Sequence, residues 1–326
     1  MQNNSFRTEI QENKAEFSIS HKDFIMLMGS CFAENIGEKL TEHKFQTDVN
    51  PFGILFNPMS IAQSLDILTS SFLFKETDLQ LFNNEWISFY HHGKFSHPDP
   101  KICLETINKK LIESRIFLQK ADFLILTLGS TVSYSYKGNI VANCHKIPQK
   151  EFQKQMLTNQ DIVSALMNSI EKIRAINKDI QLIFTVSPVR YIKNSMTENT
   201  FSKAHLIVAI HKLINRLRNS YYFPAFEIMM DDLRDYRFYN EDMIHPSPPA
   251  IDYIWENFSY TFFDEQTSNL NEKIKDIYLA TNHRMKTPYS EESKQFRAAQ
   301  IKKIEQLHIL FPHIAFDKEL AYFKQS

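Results

Sequence analysis

Four short, almost continuous apolar runs constrain the fold of this chain more than any other feature. The runs lie at residues 24–28, 123–126, 182–186 and 226–230. Apolar runs of this length are typical of strands that are buried on both faces of a sheet. Helical patterns, with apolar residues three and four positions apart, occupy residues 33–42, 61–70, 162–176 and 203–217. Strands that alternate with helices predict a three-layer α/β/α sandwich with a central parallel sheet.

Two segments depart from this alternation. Strand-like residues at 132–136 and 140–144 flank Lys137-Gly138-Asn139, which predicts a β-hairpin insertion. Near the C-terminus the sequence becomes charged and helical in pattern. We therefore predict one α/β domain at 1–265 and a helical extension at 266–326 that packs on it.

Charge and cysteine content narrow the class of protein. The 37 Lys and Arg residues are balanced by 38 Asp and Glu residues, so the net charge is −1 and the chain lacks the basic footprint of nucleic-acid binding. The polar first 20 residues and the absence of a bilayer-length apolar run predict neither a signal peptide nor a membrane protein. Three cysteines without secretory features favour a cytoplasmic location. The sequence carries no signal for the oligomeric state.

The carboxyl ends of three predicted strands carry small, polar or reactive residues. These strand ends are followed by Gly29-Ser30-Cys31, Gly129-Ser130-Thr131 and Ser187-Pro188-Val189-Arg190. In open parallel sheets the ligand site lies beyond the carboxyl ends of the strands. The sequence therefore predicts a site along this edge.

Cys31 is the strongest single chemical signal, because it lies between a buried strand and a helical pattern that begins near Ala33. The positive end of a helix favours an anion, which predicts a lowered thiol pKa and a nucleophilic thiolate. The alternative interpretation is that Cys31 packs as a small apolar side chain.

Asp242 and His245 form a second signal in the loop before a predicted helix. Ser247 and Pro248 are a typical N-cap and first helical residue. A carboxylate three residues before an imidazole is close enough to orient it as a general base. A structural cap or a surface ion pair is the alternative.

The segment Met28-Gly29-Ser30-Cys31-Phe32-Ala33-Glu34-Asn35-Ile36-Gly37 resembles the signature of the GSCFA-domain family. Residues 50–58, 143–148 and 234–239 resemble that family too, so the resemblance extends over nearly the whole chain. The family is similar to the SGNH or GDSL hydrolases, which mostly cleave or transfer acyl groups. The resemblance implies an SGNH/flavodoxin-like sheet between helices.

The resemblance also implies roles for individual residues. Cys31 falls where the serine nucleophile of the SGNH hydrolases stands, with Ser30 as the alternative nucleophile. Asp242 and His245 match the orienting carboxylate and the general base. Gly53 matches the glycine whose backbone N–H helps to form the oxyanion hole.

The third SGNH block falls on Gly129-Ser130-Thr131, so Thr131 stands where an asparagine donor is expected. The Thr131 hydroxyl, Asn57 or Asn143 is then the candidate donor on that side of the oxyanion hole.

Three further residues are candidates for binding the substrate. The spacing of the histidines and cysteines offers neither a Cys-x-x-Cys pair nor a helical His-x-x-x-His set, so it does not favour a metal site. His92 and His145 are expected to line the substrate cleft instead. Arg190 follows a strand and is suited to a carboxylate or phosphate, with a structural ion pair as the alternative. We predict no metal and no cofactor.

Two functions of different class follow. The first is an acyl hydrolase or acyltransferase that acts on an ester or thioester of a small molecule or carbohydrate through a Cys/Ser-His-Asp site. The second is a catalytically altered protein of SGNH fold that acts as a ligand-binding or structural module.

Overall fold

In the computed structural model, the chain is described at residues 8–10, 13–193, 195–282 and 290–324. The strands are β1 (Phe24–Gly29), β2 (Gln46–Val49), β3 (Gln80–Phe82), β4 (Glu85–Ile87), β5 (Phe123–Leu128), β6 (Val132–Tyr136), β7 (Asn139–Val141), β8 (Gln153–Met156), β9 (Gln181–Val186) and β10 (Ser220–Phe223). The helices are α1 (Cys31–Glu42), α2 (Pro58–Leu68), α3 (Pro100–Lys120), α4 (Asn159–Ile176), α5 (Met196–Ile214), α6 (Ala225–Glu227), α7 (Pro248–Phe262), α8 (Glu265–Asn282), α9 (Glu291–Leu310) and α10 (Asp317–Lys324).

Five parallel strands form the central sheet in the order β2-β1-β5-β9-β10. Counted along the chain, these strands have the flavodoxin-like order 2-1-3-4-5. The order reverses between β1 and β5, and such a switch point opens a crevice at the carboxyl ends of the two strands. The segments that follow β1 and β5 are Gly29-Ser30-Cys31 and Gly129-Ser130-Thr131. The predicted α/β/α fold is confirmed.

Each face of the sheet has its own apolar core. One core buries α2, α3, α4 and α5 against side chains such as Met26, Leu124 and Phe184. The other buries α1 and α7 against Ile25 and Ile183, among others. Helices α1 and α7, which flank the two predicted catalytic segments, therefore share one layer.

The predicted strand at 226–230 is wrong. The fifth sheet strand is β10, which ends at Phe223, and the following residues form α6 and a π-helical turn at Ile228–Asp232. Ile228 and Met229 are buried in the core beside α7. A short apolar run fits a buried helical turn as well as a buried strand, so periodicity alone does not separate them.

The predicted hairpin is confirmed and is larger than expected. Strands β6 and β7 pair in antiparallel fashion, and β8 pairs with the other edge of β6. Lys137 and Gly138 have positive φ angles of 49° and 83°, as a two-residue type I′ turn requires.

Helices α8, α9 and α10 surround a separate apolar cluster that includes Leu270, Ile304 and Phe323. Two polar contacts connect this cluster with the end of α1. Lys44 pairs with Glu319 at 2.5 Å, and Tyr278 donates a hydrogen bond to Glu42 at 3.1 Å. Within the described part of the chain, no helix combines the length and the apolarity that crossing a membrane requires.

Candidate active site

The turn after β1 is built around Gly29. Its φ is +142°, and a Cβ atom at this position would lie 2.1 Å from the Thr127 carbonyl oxygen. Asn50 holds the turn from the other side, because its side-chain oxygen accepts a hydrogen bond from the Gly29 N–H at 2.8 Å. Only glycine fits this close approach of β1 to β5.

Ser30 is the N-cap of α1. Its side-chain oxygen accepts the Phe32 N–H at 3.3 Å, and the residue is 1% exposed. Its hydroxyl is therefore turned toward the helix and away from solvent.

Cys31 is the first residue of α1 and is partly exposed. Burial raises the pKa of its thiol, whereas the backbone N–H groups of Cys31 and Phe32 act in the opposite direction. Glu34 on the same helix raises the thiol pKa further. The expected net lowering of the pKa is therefore wrong, because desolvation of the thiolate outweighs the helix terminus. The resting side chain is a thiol, so a base must remove its proton.

Asp242 and His245 form a hydrogen-bonded pair before α7. Asp242 Oδ2 lies 2.6 Å from His245 Nδ1, and Oδ1 accepts the N–H groups of Ile244 at 2.8 Å and His245 at 3.0 Å. Hydrogen bonds from the backbone and side chain of His245 lower the pKa of Asp242 to about 2. With Nδ1 held by the carboxylate, Nε2 is the ring nitrogen that can accept a proton.

The Asp242–His245 loop lies at the same edge of the sheet as Cys31. Arg190, which follows β9, donates its N–H to Ile244 and a guanidinium N–H to Met243, both at 3.2 Å. This loop therefore lies beyond the carboxyl ends of the strands, where α1 begins.

A salt bridge links α1 and α7 on one face of the sheet. Lys39 Nζ lies 2.6 Å from Asp252 Oδ1. Among the described residues, no hydrogen bond joins Cys31 Sγ to His245, so the two side chains share an edge of the sheet without a direct hydrogen-bonded contact between them.

The backbone N–H of Gly53 is not free for an oxyanion. Gly53 has a φ of +79°, and its N–H donates to the Asn50 carbonyl at 2.7 Å. A Cβ at this position would lie 2.2 Å from the His92 Cβ. Gly53 therefore serves a tight turn and a close approach to His92, which corrects the predicted donor role.

The loop after β5 is also engaged in internal hydrogen bonds. Gly129 donates its N–H to the Phe56 carbonyl at 3.0 Å. Thr131 is 0% exposed, and both its N–H and its hydroxyl donate to Ser202 Oγ, at 2.8 and 3.1 Å. Neither residue presents the oxyanion donor that was predicted here, because both use their donors to close the loop onto Phe56 and α5.

Asn57 and Asn143 also have local partners. Asn57 caps α2, since its oxygen accepts the Ser60 N–H at 2.9 Å and its amide nitrogen donates to Ser60 Oγ at 3.0 Å. Asn143 accepts the His145 N–H at 2.8 Å. Both amides therefore shape loops, and the structure shows neither as an oxyanion donor.

His92 and His145 lie in neighbouring loops. His145 Nε2 lies 2.8 Å from the Ser88 carbonyl oxygen, and His92 Nδ1 accepts the Lys94 N–H at 3.3 Å. Burial lowers the pKa of His145, and the proximity of His92 contributes to the lowering. The cleft-lining role that the sequence predicted for both stays a prediction.

Arg190 combines two structural tasks. Its guanidinium lies 3.9 Å from the centre of the Tyr239 ring and holds the Asp242–His245 loop. It also lines a cleft of about 250 Å³ together with Met230, Asp231 and Tyr236. The guanidinium thus lies over an aromatic ring and is anchored to backbone, and no carboxylate of the described residues forms a salt bridge with it.

Lys203 belongs to this region and was missed by the sequence reasoning. It is 1% exposed, and its ammonium donates to the carbonyls of Gly129 at 2.7 Å and Ser187 at 2.6 Å. Burial lowers the pKa of Lys203 to about 7, and Cys31 acts in the opposite direction. The sequence did indicate its burial, because Lys203 lies on the same face of its helix as the apolar residues Leu206 and Ile210.

Across the residues that the structure describes, no three His, Cys, Asp or Glu side chains are arranged to hold a metal ion. The candidate site comprises two groups of residues at one edge of the sheet. The first is the Cys31 thiol with Glu34 and Lys203, which influence its pKa. The second is the His245 imidazole with the Asp242 carboxylate that holds it.

Comparison with solved structures finds similar folds at low identity. A carbohydrate esterase family 3 structure from Talaromyces cellulolyticus is 12% identical, with a TM-score of 0.36 over 78% of this chain and 99% of that chain. An acetyl xylan esterase from the rumen bacterium Butyrivibrio proteoclasticus is 9% identical, with a TM-score of 0.33 over 76% of this chain and 66% of that chain. Among curated proteins, none matches this sequence.

Comparison with protein families gives a direct result. The profile of the GSCFA family matches residues 24–258, and the profile described as the GSCFA domain protein, C-terminal domain, matches residues 257–326. The first match spans the sheet, Cys31 and the Asp242–His245 loop, and the second spans α8, α9 and α10. The chain belongs to the GSCFA family.

Proposed function

We propose that this protein is an acyl hydrolase or acyltransferase in which Cys31 is the nucleophile, His245 the general base and Asp242 the carboxylate that orients it. The observation that carries the proposal is the 2.6 Å contact between Asp242 and His245 Nδ1 at the sheet edge where Cys31 opens α1. This contact fixes the imidazole so that Nε2 accepts a proton.

The reaction proceeds in two acyl transfers. His245 takes the thiol proton while Sγ bonds to the acyl carbonyl carbon, whose oxygen takes up the electron pair. Collapse of this intermediate breaks the bond to the leaving group, which takes the proton from His245, and leaves a thioester on Cys31. Water or an acceptor hydroxyl then gives its proton to His245 and attacks the thioester carbonyl. The C–S bond breaks, His245 returns the proton to Sγ, and the acyl group leaves as a carboxylic acid or as an ester of the acceptor.

The burial of Ser30 supports Cys31 as the nucleophile. Ser30 is 1% exposed and caps α1, whereas Cys31 is partly exposed. The N–H of Cys31 lies at the first position of α1, where backbone donors have no helical acceptor. We assign this N–H to the developing oxyanion.

A specific observation favours the second function, a ligand-binding module. The donors of Gly53, Gly129 and Thr131 are all used inside the protein. Because loss of one oxyanion donor commonly costs about 3 kcal/mol of transition-state stabilisation, a site with few donors would bind an acyl compound better than it cleaves one.

Ester hydrolysis separates the two functions. We would measure hydrolysis of p-nitrophenyl acetate and of an acetyl thioester by the wild type, Cys31→Ala and Ser30→Ala. We predict that folded Cys31→Ala loses activity while folded Ser30→Ala retains it. Cys144→Ala is the matched control, because Cys144 is also a free, partly exposed cysteine. Equal activity of wild type and Cys31→Ala would contradict the proposal.

A further inference from the structure

Lys203 is a buried amine without a carboxylate partner among the described ion pairs. Burying an ammonium group is costly unless its donors are satisfied. Two donors are satisfied by the carbonyls of Gly129 and Ser187, which follow β5 and β9. Because Nζ has three donor positions, one remains after these two bonds.

The position of Lys203 connects it with the nucleophile. Its helix, α5, packs on the opposite face of the sheet from α1, and the side chain reaches the shared edge from there. Gly129, which accepts one of its hydrogen bonds, lies against the turn of the nucleophile: a Cβ added at Gly129 would be 3.4 Å from Ser30 Cβ. Lys203 is thus the cation beneath this turn.

We propose that Lys203 is a positioning residue for Cys31, whose ammonium holds the ends of β5 and β9 beneath the nucleophile turn and stabilises negative charge on Cys31 Sγ. This inference rests on the proposed function, because it assigns a task during formation of the thiolate. The charge on Lys203 balances the sulfur charge at the moment when His245 removes the proton, and Lys203 itself neither gains nor loses a proton in that step.

The electrostatics of the two groups agree with this geometry. Burial, the N–H groups of Cys31 and Phe32, and Glu34 have larger effects on the thiol, but Lys203 also lowers its pKa. The reciprocal effect is present, since Cys31 raises the pKa of Lys203 against its burial. Two further groups lie near these residues. The ammonium of Lys94 lies 3.8 Å from the carboxylate of Glu34, and the aromatic ring of Phe226 has its centre 5.6 Å from Lys203 Nζ.

The test is the pH dependence of iodoacetamide labelling at Cys31, followed by mass spectrometry. Lys203→Met keeps the length of the side chain and removes its charge, whereas Lys203→Arg keeps the charge. We expect Lys203→Met to lower labelling severalfold at pH 6, where Lys203 is charged, and to change it little at pH 9, where the wild-type amine is already neutral. Lys203→Arg should recover part of the rate. Lys212→Met is the matched control, because Lys212 also lies on α5 but its ammonium donates a hydrogen bond to Asn159 on the exposed side of the helix.

Folded Lys203→Met that is labelled at the wild-type rate at pH 6 would overturn the proposal and leave Lys203 a purely structural role. If Lys203→Met does not fold, Cys31→Asp provides the reciprocal measurement, with the Lys203 amine titrated by NMR. Because the two groups influence each other equally, a negative charge at residue 31 should raise the pKa of Lys203 above its wild-type value. An unchanged value would also overturn the proposal.

These outcomes are separable from failure of the proposed function. If Cys31→Ala hydrolyses esters as well as the wild type, the nucleophile assignment fails whatever Lys203 does to the thiol. If Cys31→Ala is inactive and Lys203→Met is labelled at the wild-type rate at pH 6, only the role of Lys203 fails.

Discussion

Two parts of the candidate site depend on different interactions. We call Ser30, Cys31, Thr131 and Lys203, with the Gly29 turn, the floor, and the more exposed segment 242–245 the loop. Ser30 and Lys203 in the floor are each 1% exposed, whereas the side chains of Asp242 and His245 in the loop are each 45% exposed. Burial is the largest influence on the pKa of Cys31 and Lys203, but hydrogen bonds are the largest influence on Asp242. Substitutions in the floor should therefore change both the stability of the protein and the pKa of the nucleophile. Substitutions in the loop should change catalysis without changing stability.

Gly29→Ala tests the floor and has the largest expected effect. The added Cβ would lie 2.1 Å from the Thr127 carbonyl oxygen, at a φ of +142°. We expect a loss of more than about 4 kcal/mol in the free energy of unfolding, measured by urea denaturation. Gly138→Ala is the control, because Gly138 also has a positive φ, of +83°, but faces open space. Equal losses in the two variants would show that close contact in the floor is unimportant.

His245→Ala tests the loop and should change activity without changing stability. Removing a general base commonly lowers the rate about 10²- to 10⁴-fold, and the exposed imidazole contributes little to packing. Ester hydrolysis and urea denaturation measured on the same preparation would check both parts. His308→Ala, on the charged helix α9, is the control. A large loss of stability with activity retained would reverse the roles that we assign to loop and floor.

Acid should weaken the buried packing of His91 on Phe52 before it affects the exposed loop. Burial lowers the pKa of His91 to about 3, below an ordinary unfolded value of about 6.5. A group whose pKa is depressed in this way stays neutral in the folded state while the unfolded chain takes up a proton. Stability is therefore full above about pH 6.5 and falls as the pH drops toward the folded pKa, by about 2 kcal/mol at pH 5.

Urea denaturation at pH 7 and pH 5 measures this loss, and His91→Phe provides the comparison. The phenyl ring preserves the stacking on Phe52, whose ring centre lies 4.9 Å from that of His91. The variant should show a smaller decrease between the two pH values. An unchanged decrease would mean that His91 does not cause it.

Thr131→Val has the smallest expected effect and sharpens the comparison within the floor. The substitution removes the hydroxyl that donates to Ser202 at 3.1 Å, so we expect a loss of about 1 kcal/mol in stability. Hydrolysis should change less than about tenfold, because the hydroxyl points into the protein. A loss of activity near that of His245→Ala, with stability retained, would return Thr131 to the oxyanion role that the sequence predicted.

Much of the framework was predictable from the sequence. The apolar runs at 24–28, 123–126 and 182–186 correspond to β1, β5 and β9, and Ser247 and Pro248 open α7 as predicted. These predictions succeeded because continuous burial on both faces of a parallel strand leaves a strong local pattern. The run at 226–230 failed because a buried helical turn leaves the same pattern.

The chemical detail of the site was less predictable. Gly53 and Thr131 are residues of the types that their predicted roles require, but their donors are used elsewhere. The Gly53 N–H bonds to Asn50 within a tight turn, and the Thr131 hydroxyl bonds to Ser202, which is distant in sequence. The pKa of Cys31 depends on burial by the folded chain, which a local helix pattern does not report. Lys203 was visible only as a charge on an apolar stripe.

Trapping of an acyl-enzyme would decide whether Cys31 is the nucleophile. The wild type and His245→Ala would be mixed with p-nitrophenyl acetate, quenched in acid within the first turnover and digested for mass spectrometry. We expect an acetyl group on Cys31 in the wild type, formed much more slowly in His245→Ala, with Cys144 unmodified. Acetylation of Ser30 or Cys144, or of no residue while ester is hydrolysed, would show that Cys31 is not the nucleophile.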